Sequence, residues 1–211
     1  MSTIKAVCFD VGGVLTTGIA PAMMQAAQSG GVDLAALGPT LRKLFIEENR
    51  RDHPGHALEC GRLSFEEFVE AVGNFGPEIR TLMHPDSPHC MYRFIDRSEP
   101  MHEFVDEVRA AGYRTGIISN VLTEWLGLWE TFTHPIDRFE TVIYSCLDGM
   151  RKPDLEIFTT ALERLGLAGN EVLYLDDGPG MVDVARRAGM TAVLVDDHDR
   201  AIDEARKLLA M

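Results

Sequence analysis

The stretch Val172 to Met190 reads V-L-Y-L-D-D-G-P-G-M-V-D-V-A-R-R-A-G-M. Four apolar residues in a row, Val172–Leu175, have the pattern of a short strand buried on both faces. Two aspartates, Asp176 and Asp177, end it, and G-P-G turns the chain. Apolar side chains then recur at helical spacing from Val182 to Ala188, and Gly189 supplies a stop. This is one strand–turn–helix unit with charge gathered at the carboxyl end of its strand.

The same alternation of strand and helix runs along the chain, without an internal sequence repeat. Other β-rich apolar runs fall at Ala6–Phe9, Thr115–Ile118, Val142–Tyr144 and Ala192–Val195. Met101, Phe104, Val105 and Val108 lie at i, i+3, i+4, i+7, one face of a helix that Gly112 ends. A second helix, opening at Pro153, turns Ile157, Phe158, Ala161, Leu162 and Leu165 inward and closes at Gly166, and a last one covers Arg200 to Leu209. Strands alternating with helices of this length predict βαβ units: an α/β fold with a Rossmann-like parallel sheet flanked by helices.

Residues 18–91 break the alternation. They show no strand pattern, only helical pieces such as Thr40–Glu48 and Ser64–Val72, the latter opened by the capping-box pair Ser64 and Glu67. The expected organisation is a core of residues 1–17 and 92–211 with a small all-helical cap, 18–91, inserted after the first strand. A cap there would lie over the strand's carboxyl end, where ligands of open α/β sheets bind.

Composition narrows the function. The 211 residues carry a formal net charge of -13, which argues against a surface that tracks DNA or RNA phosphates. Cys8, Cys60, Cys90 and Cys146 have no metal-type spacing and read as reduced, buried thiols. The N-terminus M-S-T-I-K lacks the apolar core of a signal peptide, and no apolar run reaches the roughly 18 residues of a membrane span. The expectation is a soluble, cytoplasmic protein with neither nucleic acid nor membrane as partner.

Four chemical groups stand at strand ends or helix starts: Asp10 after the first strand, Ser119-Asn120 after the second, Lys152 in M-R-K-P-D, and the Asp176-Asp177 pair. Taken singly, Asp10 reads as a turn or cap, Ser119-Asn120 as a loop start and Lys152 as a surface lysine. The acidic doublet is more telling, because adjacent like charges before a tight turn are unfavourable without a cation.

In this order the stretches F-D-V-G-G-V-L, I-I-S-N, G-M-R-K-P-D and Y-L-D-D-G-P-G-M-V-D-V-A-R-R-A-G-M resemble the haloacid dehalogenase-like (HAD) hydrolase superfamily, in the subgroup with a helical cap after the first motif. The resemblance implies a phosphatase of a small phosphorylated metabolite, with Asp10 as nucleophile and a phosphoaspartyl intermediate. It further implies Mg²⁺ held by Asp10, the backbone carbonyl of Gly12 and Asp177, with Asp176 close by. Ser119, the Asn120 backbone and Lys152 would hold the phosphoryl oxygens.

Gly12 departs from the pattern, because superfamily phosphatases usually carry there a second aspartate that protonates the leaving group. Such proton transfer is commonly worth about 10²–10⁴-fold in rate. The departure points to a slow enzyme, a good leaving group or a substitute donor. Thr16, Thr17 and the cap histidines His53 and His56 in R-R-D-H-P-G-H are candidates, although H-P-G-H reads more plainly as a loop with two exposed histidines. Gly178 and Met181 stand where serine and an acid or amide are frequent, which implies weaker metal support that Asp183 replaces only in a different turn. Arg50-Arg51 reads as a solvated helix end that could reach a far substrate group. Trp125 and Trp129, four apart, read as core cover or a homodimer contact. Two other functions fit the same residues: a 2-haloacid dehalogenase, in which Asp10 attacks carbon without metal, and a catalytically weak or inactive phosphate-ester-binding or regulatory protein.

Overall fold

Five short strands form the centre of the molecule, which is described by a computed structural model over residues 4–47 and 50–211. They are β1 (Ala6–Phe9), β2 (Arg114–Ser119), β3 (Thr141–Tyr144), β4 (Val172–Asp176) and β5 (Thr191–Leu194). All pair in parallel, in the order β3-β2-β1-β4-β5. Each apolar run becomes a strand, with ends displaced by no more than one residue from the sequence pattern. Alternate side chains serve opposite faces. Val7, Phe9, Ile117, Leu173, Leu175 and Val193 belong to one core cluster, and Ala6, Cys8, Ile118, Ile143, Tyr174 and Ala192 to the other.

Between β1 and β2 the chain forms α1 (Ile19–Gly30), α2 (Leu34–Arg42), α3 (Pro54–Glu59), α4 (Phe65–Val72), α5 (Gly76–Met83) and α6 (Glu99–Ala110). α7 (Leu126–Thr133), α8 (Ser145–Asp148) and α9 (Leu155–Leu165) follow β2 and β3; α10 (Pro179–Arg187) and α11 (His198–Leu209) complete the chain. α6 and α11 cover the first face, with Phe104, Val105, Ile202 and Ala205 inward, while α9 and α10 cover the second with Ile157, Phe158 and Ala185. No helix among the described residues is long and apolar enough to cross a membrane.

Among the described residues, 18–91 contain helices and turns only. The capping box of α4 forms as expected: Glu67 N–H donates to Ser64 Oγ at 3.3 Å and Ser64 N–H to Glu67 Oε2 at 2.8 Å. The preceding helix starts six residues earlier than the sequence pattern, because Asp33 accepts the N–H groups of Ala35 (2.8 Å) and Ala36 (3.4 Å) and so starts α2. Its expected end, Glu48, lies outside the described residues. α9 begins at Leu155 rather than Pro153, since Asp154 is extended (φ -65°, ψ 134°).

The helical segment rests on the loops that follow β2 and β3. Trp125 Nε1 donates to Met83 O (2.8 Å), Phe65 N–H to Glu124 Oε1 (3.1 Å), and Arg62 to Gly149 O (3.3 Å). Arg151 is the firmest tie: its buried guanidinium donates to Phe45 O (2.8 Å) and lies 2.6 Å from Glu59.

Candidate active site

Because β1 is the middle strand, its carboxyl end is flanked on both sides. Phe9 pairs with Ile117 and Leu175, so Asp10 emerges level with Asp176, the last residue of β4. Asp10 N–H donates to Leu175 O (2.9 Å), which continues the ladder by one bond. One carboxylate oxygen each from Asp10, Asp176 and Asp177 lies within 4.8 Å of the others. Asp10 and Asp176 are buried; Asp177 is exposed at the mouth.

Lys152 enters from the loop before α9. Its buried ammonium donates to Asp176 Oδ2 (2.7 Å) and Tyr174 Oη (3.1 Å), and stands 2.9 Å from Asp10 Oδ1. Tyr174 Oη also donates to Asp176 Oδ2. Asn120 fixes the lysine's backbone at two points, with its amide donating to Lys152 O (3.0 Å) and its carbonyl accepting Lys152 N–H (2.8 Å). Ser119, buried at the end of β2, accepts a hydrogen bond from Trp129 Nε1 (3.1 Å).

The turn Val11–Leu15 carries the two glycines. Thr16 closes it, its N–H donating to Val11 O (3.0 Å) and its hydroxyl accepting Gly13 N–H (3.2 Å). Gly13 has φ 78°, and a Cβ there would come 2.2 Å from Asp177 Oδ2. Only glycine permits both the left-handed backbone and that approach. At Gly12 a Cβ would meet Ile19 at 3.1 Å and Trp129 at 3.5 Å, so hydrocarbon walls the place of the absent side chain.

Three carboxylates thus face one ammonium. Burial pushes Asp10 up to about 6, with Asp176 adding to the rise and Lys152 opposing it. Burial, then Asp10 and Asp176, push Asp177 up to about 7. For Lys152 burial favours the neutral amine, but Asp10 and Asp176 outweigh it and hold the ammonium above its ordinary range. Asp10 Oδ1 is buried with only the ionic approach of Lys152, not an aligned hydrogen bond. An under-compensated all-oxygen cluster with an unsatisfied carboxylate oxygen fits a hard divalent cation such as Mg²⁺.

The family model for haloacid dehalogenase-like hydrolases matches residues 4–189. The chain belongs to this hydrolase family. It is 31% identical over 211 residues to mouse "Acyl-CoA dehydrogenase family member 10", covering 97% of this chain but 19% of that one. It is 24% identical to "Sesquiterpene phosphatase astK" of Aspergillus oryzae, over 99% of this chain and 98% of the relative. A HAD family enzyme from Bacteroides thetaiotaomicron, solved with magnesium and inorganic phosphate, shares the fold at TM-score 0.66 and 20% identity, over 93% and 98% of the two chains.

Of the other residues read from the sequence of this HAD-like hydrolase, the histidines depart from that reading, whereas the arginine pair and the tryptophans keep it. His56 is not an exposed loop residue. It is buried in α3, accepts from Arg62 at Nδ1 (2.7 Å) and donates from Nε2 to Asp154 (3.1 Å). Burial lowers its pKa against the pull of Asp154, so the ring serves as a neutral brace between helix and loop. Pro54 sits in the first turn of α3, and a Cβ on Gly55 would come 2.0 Å from Leu44 O, so Pro-Gly here starts a helix against a neighbouring backbone. His53, at the cap position of that helix, is half-buried rather than exposed. Thr16 is engaged in the turn, and Thr17 Oγ1 accepts Asp96 N–H (3.0 Å). Arg50 pairs with Asp52 (2.6 Å) and Arg51 with Glu156 (2.7 Å) on the surface. Asp183 pairs at 3.6 Å with Arg186. Trp125 and Trp129 are both core residues.

Two histidines that no local motif signals grip the turn Val11–Leu15. His198 at the start of α11 donates from Nε2 to Gly13 O (3.1 Å) while Nδ1 accepts from Ser98 (2.8 Å). His102 in α6 donates to Leu15 O (3.2 Å). Burial, then Arg97 and Arg138, lower His102 to about 4, so it is neutral at physiological pH.

Proposed function

We propose that the protein is a Mg²⁺-dependent phosphatase of small phosphorylated metabolites, working in the cytoplasm through a phosphoaspartyl intermediate on Asp10. The observation that carries this reading is the buried Asp10 carboxylate, held 2.9 Å from the Lys152 ammonium and within 4.8 Å of two further carboxylates. Asp10, Asp177 and the Gly12 carbonyl, with Asp176 beside them, would hold the cation. Bound there, it neutralises phosphoryl charge as a Lewis acid.

Asp10 attacks phosphorus in line; the new O–P bond forms as the ester O–P bond breaks, and the alcohol oxygen leaves with the electron pair. Lys152 reduces the repulsion between two anions in this step, and Ser119 with the Asn120 backbone orients the non-bridging oxygens. Water then attacks the phosphoaspartyl phosphorus and gives a proton to solvent as the Asp10 O–P bond breaks, which releases inorganic phosphate and restores the Asp10 carboxylate. Position 12 supplies no proton to the departing oxygen, and apolar Ile19 and Trp129 fill its surroundings. Turnover is therefore slow on poor leaving groups.

The cluster disfavours a 2-haloacid dehalogenase, because attack on carbon without a cation would leave Asp176 and Asp177 beside Asp10 under-compensated. The deciding measurement is Mg²⁺-dependent phosphate release from an aryl phosphate, abolished by Asp10→Asn. Chloride release from a 2-chloroacid without metal, or tight ester binding with no turnover, would replace this reading with one of its rivals.

A further inference from the structure

The loop between α8 and α9 that delivers Lys152 to the carboxylate cluster is held from two directions. From the core, Asn120 accepts Lys152 N–H (2.8 Å) and donates its amide to Lys152 O (3.0 Å). Four groups grip the same stretch from the helical segment. Arg62 donates to Gly149 O (3.3 Å), Glu59 faces Arg151 (2.6 Å), Phe45 O accepts from Arg151 Nη2 (2.8 Å), and His56 donates to Asp154 (3.1 Å). A fifth contact, Arg51 with Glu156 (2.7 Å), joins the two parts at the surface.

These contacts are unequal. Arg51 and Glu156 are exposed, and a solvated pair of this kind constrains little. Arg151 is 1% exposed, and it alone also reaches the lysine, its Nε donating to Lys152 O (2.8 Å). One planar guanidinium thus joins the carbonyl of Phe45 and the carboxylate of Glu59 to the backbone of Lys152. Lysine cannot copy this, because an ammonium on a flexible stem lacks the fixed fork of donors. Lys152 O therefore takes one donor from the core and one anchored in the helical segment. The same residue carries the Nζ that stands 2.9 Å from Asp10 Oδ1 and 2.7 Å from Asp176 Oδ2.

We propose that Arg151 is a positioning residue: clamped by Phe45 O and Glu59, it sets the Lys152 ammonium against Asp10. The helical segment then helps to align the ammonium as well as covering the strand ends. The consequence for turnover rests on the phosphatase reading above, whereas the placement of the ammonium does not.

The test reads the position of Lys152 by its reactivity. Each protein is treated with trace acetic anhydride, and acetylation of Lys152 is measured by peptide mass relative to Lys5, whose side chain is 62% exposed. Arg151→Lys should raise that ratio by at least about tenfold and lower kcat on an aryl phosphate by about 10- to 100-fold. Arg51→Ala, which breaks only the surface pair, should leave both within about twofold. Val108→Ala, a cavity in the core under α6, is the control for lost stability, and its ratio should stay within about threefold of wild type. If Arg151→Lys does not fold, Glu59→Gln removes only the charge facing the guanidinium and should still raise the ratio by at least about threefold. An unchanged ratio, an equal rise in Val108→Ala at matched loss of Tm, or full turnover beside a raised ratio would overturn the proposal. If the ratio rises as expected while the wild type releases no phosphate, the positioning stands and the phosphatase reading falls.

Discussion

Placing a carboxyl on residue 12 tests whether the absent side chain limits the rate. Gly12 has φ -66° and ψ 119°, a backbone that any L-residue adopts. The obstacle is lateral: a Cβ would meet Cγ1 and Cδ1 of Ile19 at 3.1 Å and Trp129 at 3.5 Å. Ile19 opens α1 and is half-buried, so it can yield by a few tenths of an ångström. Overpacking of this kind costs roughly 1–3 kcal/mol, or about 2–12 °C in Tm for a chain of this size. Against hydrocarbon the new carboxyl would have a raised pKa, which keeps it protonated nearer neutral pH and able to donate. Gly12→Asp should therefore raise kcat on alkyl phosphates by at least about tenfold, within the 10²–10⁴ span of acid catalysis. An aryl phosphate, whose leaving group needs no proton, should change by less than about threefold. Adding Ile19→Ala should recover the lost stability and enlarge the gain. The assay is phosphate release over a series of leaving groups at fixed Mg²⁺, where the steep wild-type dependence on leaving-group pKa should flatten. A wild-type profile already flat, or an equal change on every substrate, would refute the reasoning.

Three further outcomes follow from the same geometry. In the metal-free protein the raised Asp10 and Asp177, near 6 and 7, take up protons before the unfolded chain does, so stability falls as pH rises between about 4 and 7. Mg²⁺ needs the ionised carboxylates, so its stabilisation should grow from about pH 5 to 7.5, reaching about 2.7 kcal/mol, or 5–11 °C, at a hundredfold its Kd; a gain that shrinks with pH in calorimetry counts against the cluster as its site. Lys152→Met leaves two buried carboxylates without their cation and should cost about 3–5 kcal/mol along with all turnover, read by thermal melts and phosphate release; an unchanged melt would show that the ammonium is not compensating them. His198→Ala removes the donor on Gly13 O, one residue beyond the Gly12 carbonyl that would hold the cation, and should weaken Mg²⁺ by less than the roughly 10–100-fold that losing a ligand's own partner costs. His198→Gln, which can still donate, should recover part of it in a Mg²⁺ titration followed by Trp129 fluorescence, and identical titrations for wild type and alanine would exclude the role.

What the sequence revealed is governed by locality. The strands were legible because both faces of a parallel sheet are covered, which forces continuous apolar runs such as Val172–Leu175. Asp10, Ser119, Lys152, Asp176 and Asp177 were legible as residues at turns, and parallel topology then gathers them at one edge of the sheet. His198 was hidden because its contact is with a backbone carbonyl 185 residues away, and a carbonyl leaves no mark in composition. Arg151 carries no local sign of its burial, which depends on Phe45 and Glu59 from the distant helical segment. His56 reads as a loop residue because Pro-Gly ordinarily marks a turn, whereas here the backbone of Leu44 demands a glycine at position 55.

The same spatial view changes how the departures at positions 12, 178 and 181 should be understood. Read in sequence they look like three separate losses from a phosphatase motif. In the fold, a Cβ on Gly178 would come 2.9 Å from Met181 Cγ and 3.0 Å from Asp176 Oδ1, so Met181 occupies the room that a residue-178 side chain would need. Gly178 N–H meanwhile donates to Asp176 Oδ1 (2.7 Å), which keeps that carboxylate aligned with Lys152. Ile19 and Trp129 likewise close over Gly12, and Ser119 holds Trp129 in place. Each glycine is thus matched to a large apolar neighbour, and the charged cluster between them keeps its geometry. A decaying site has no physical reason to fill its gaps while preserving buried charges that cost stability when left unused. On the phosphatase reading proposed above, the arrangement fits a site packed around a reaction that does without a proton donor at position 12.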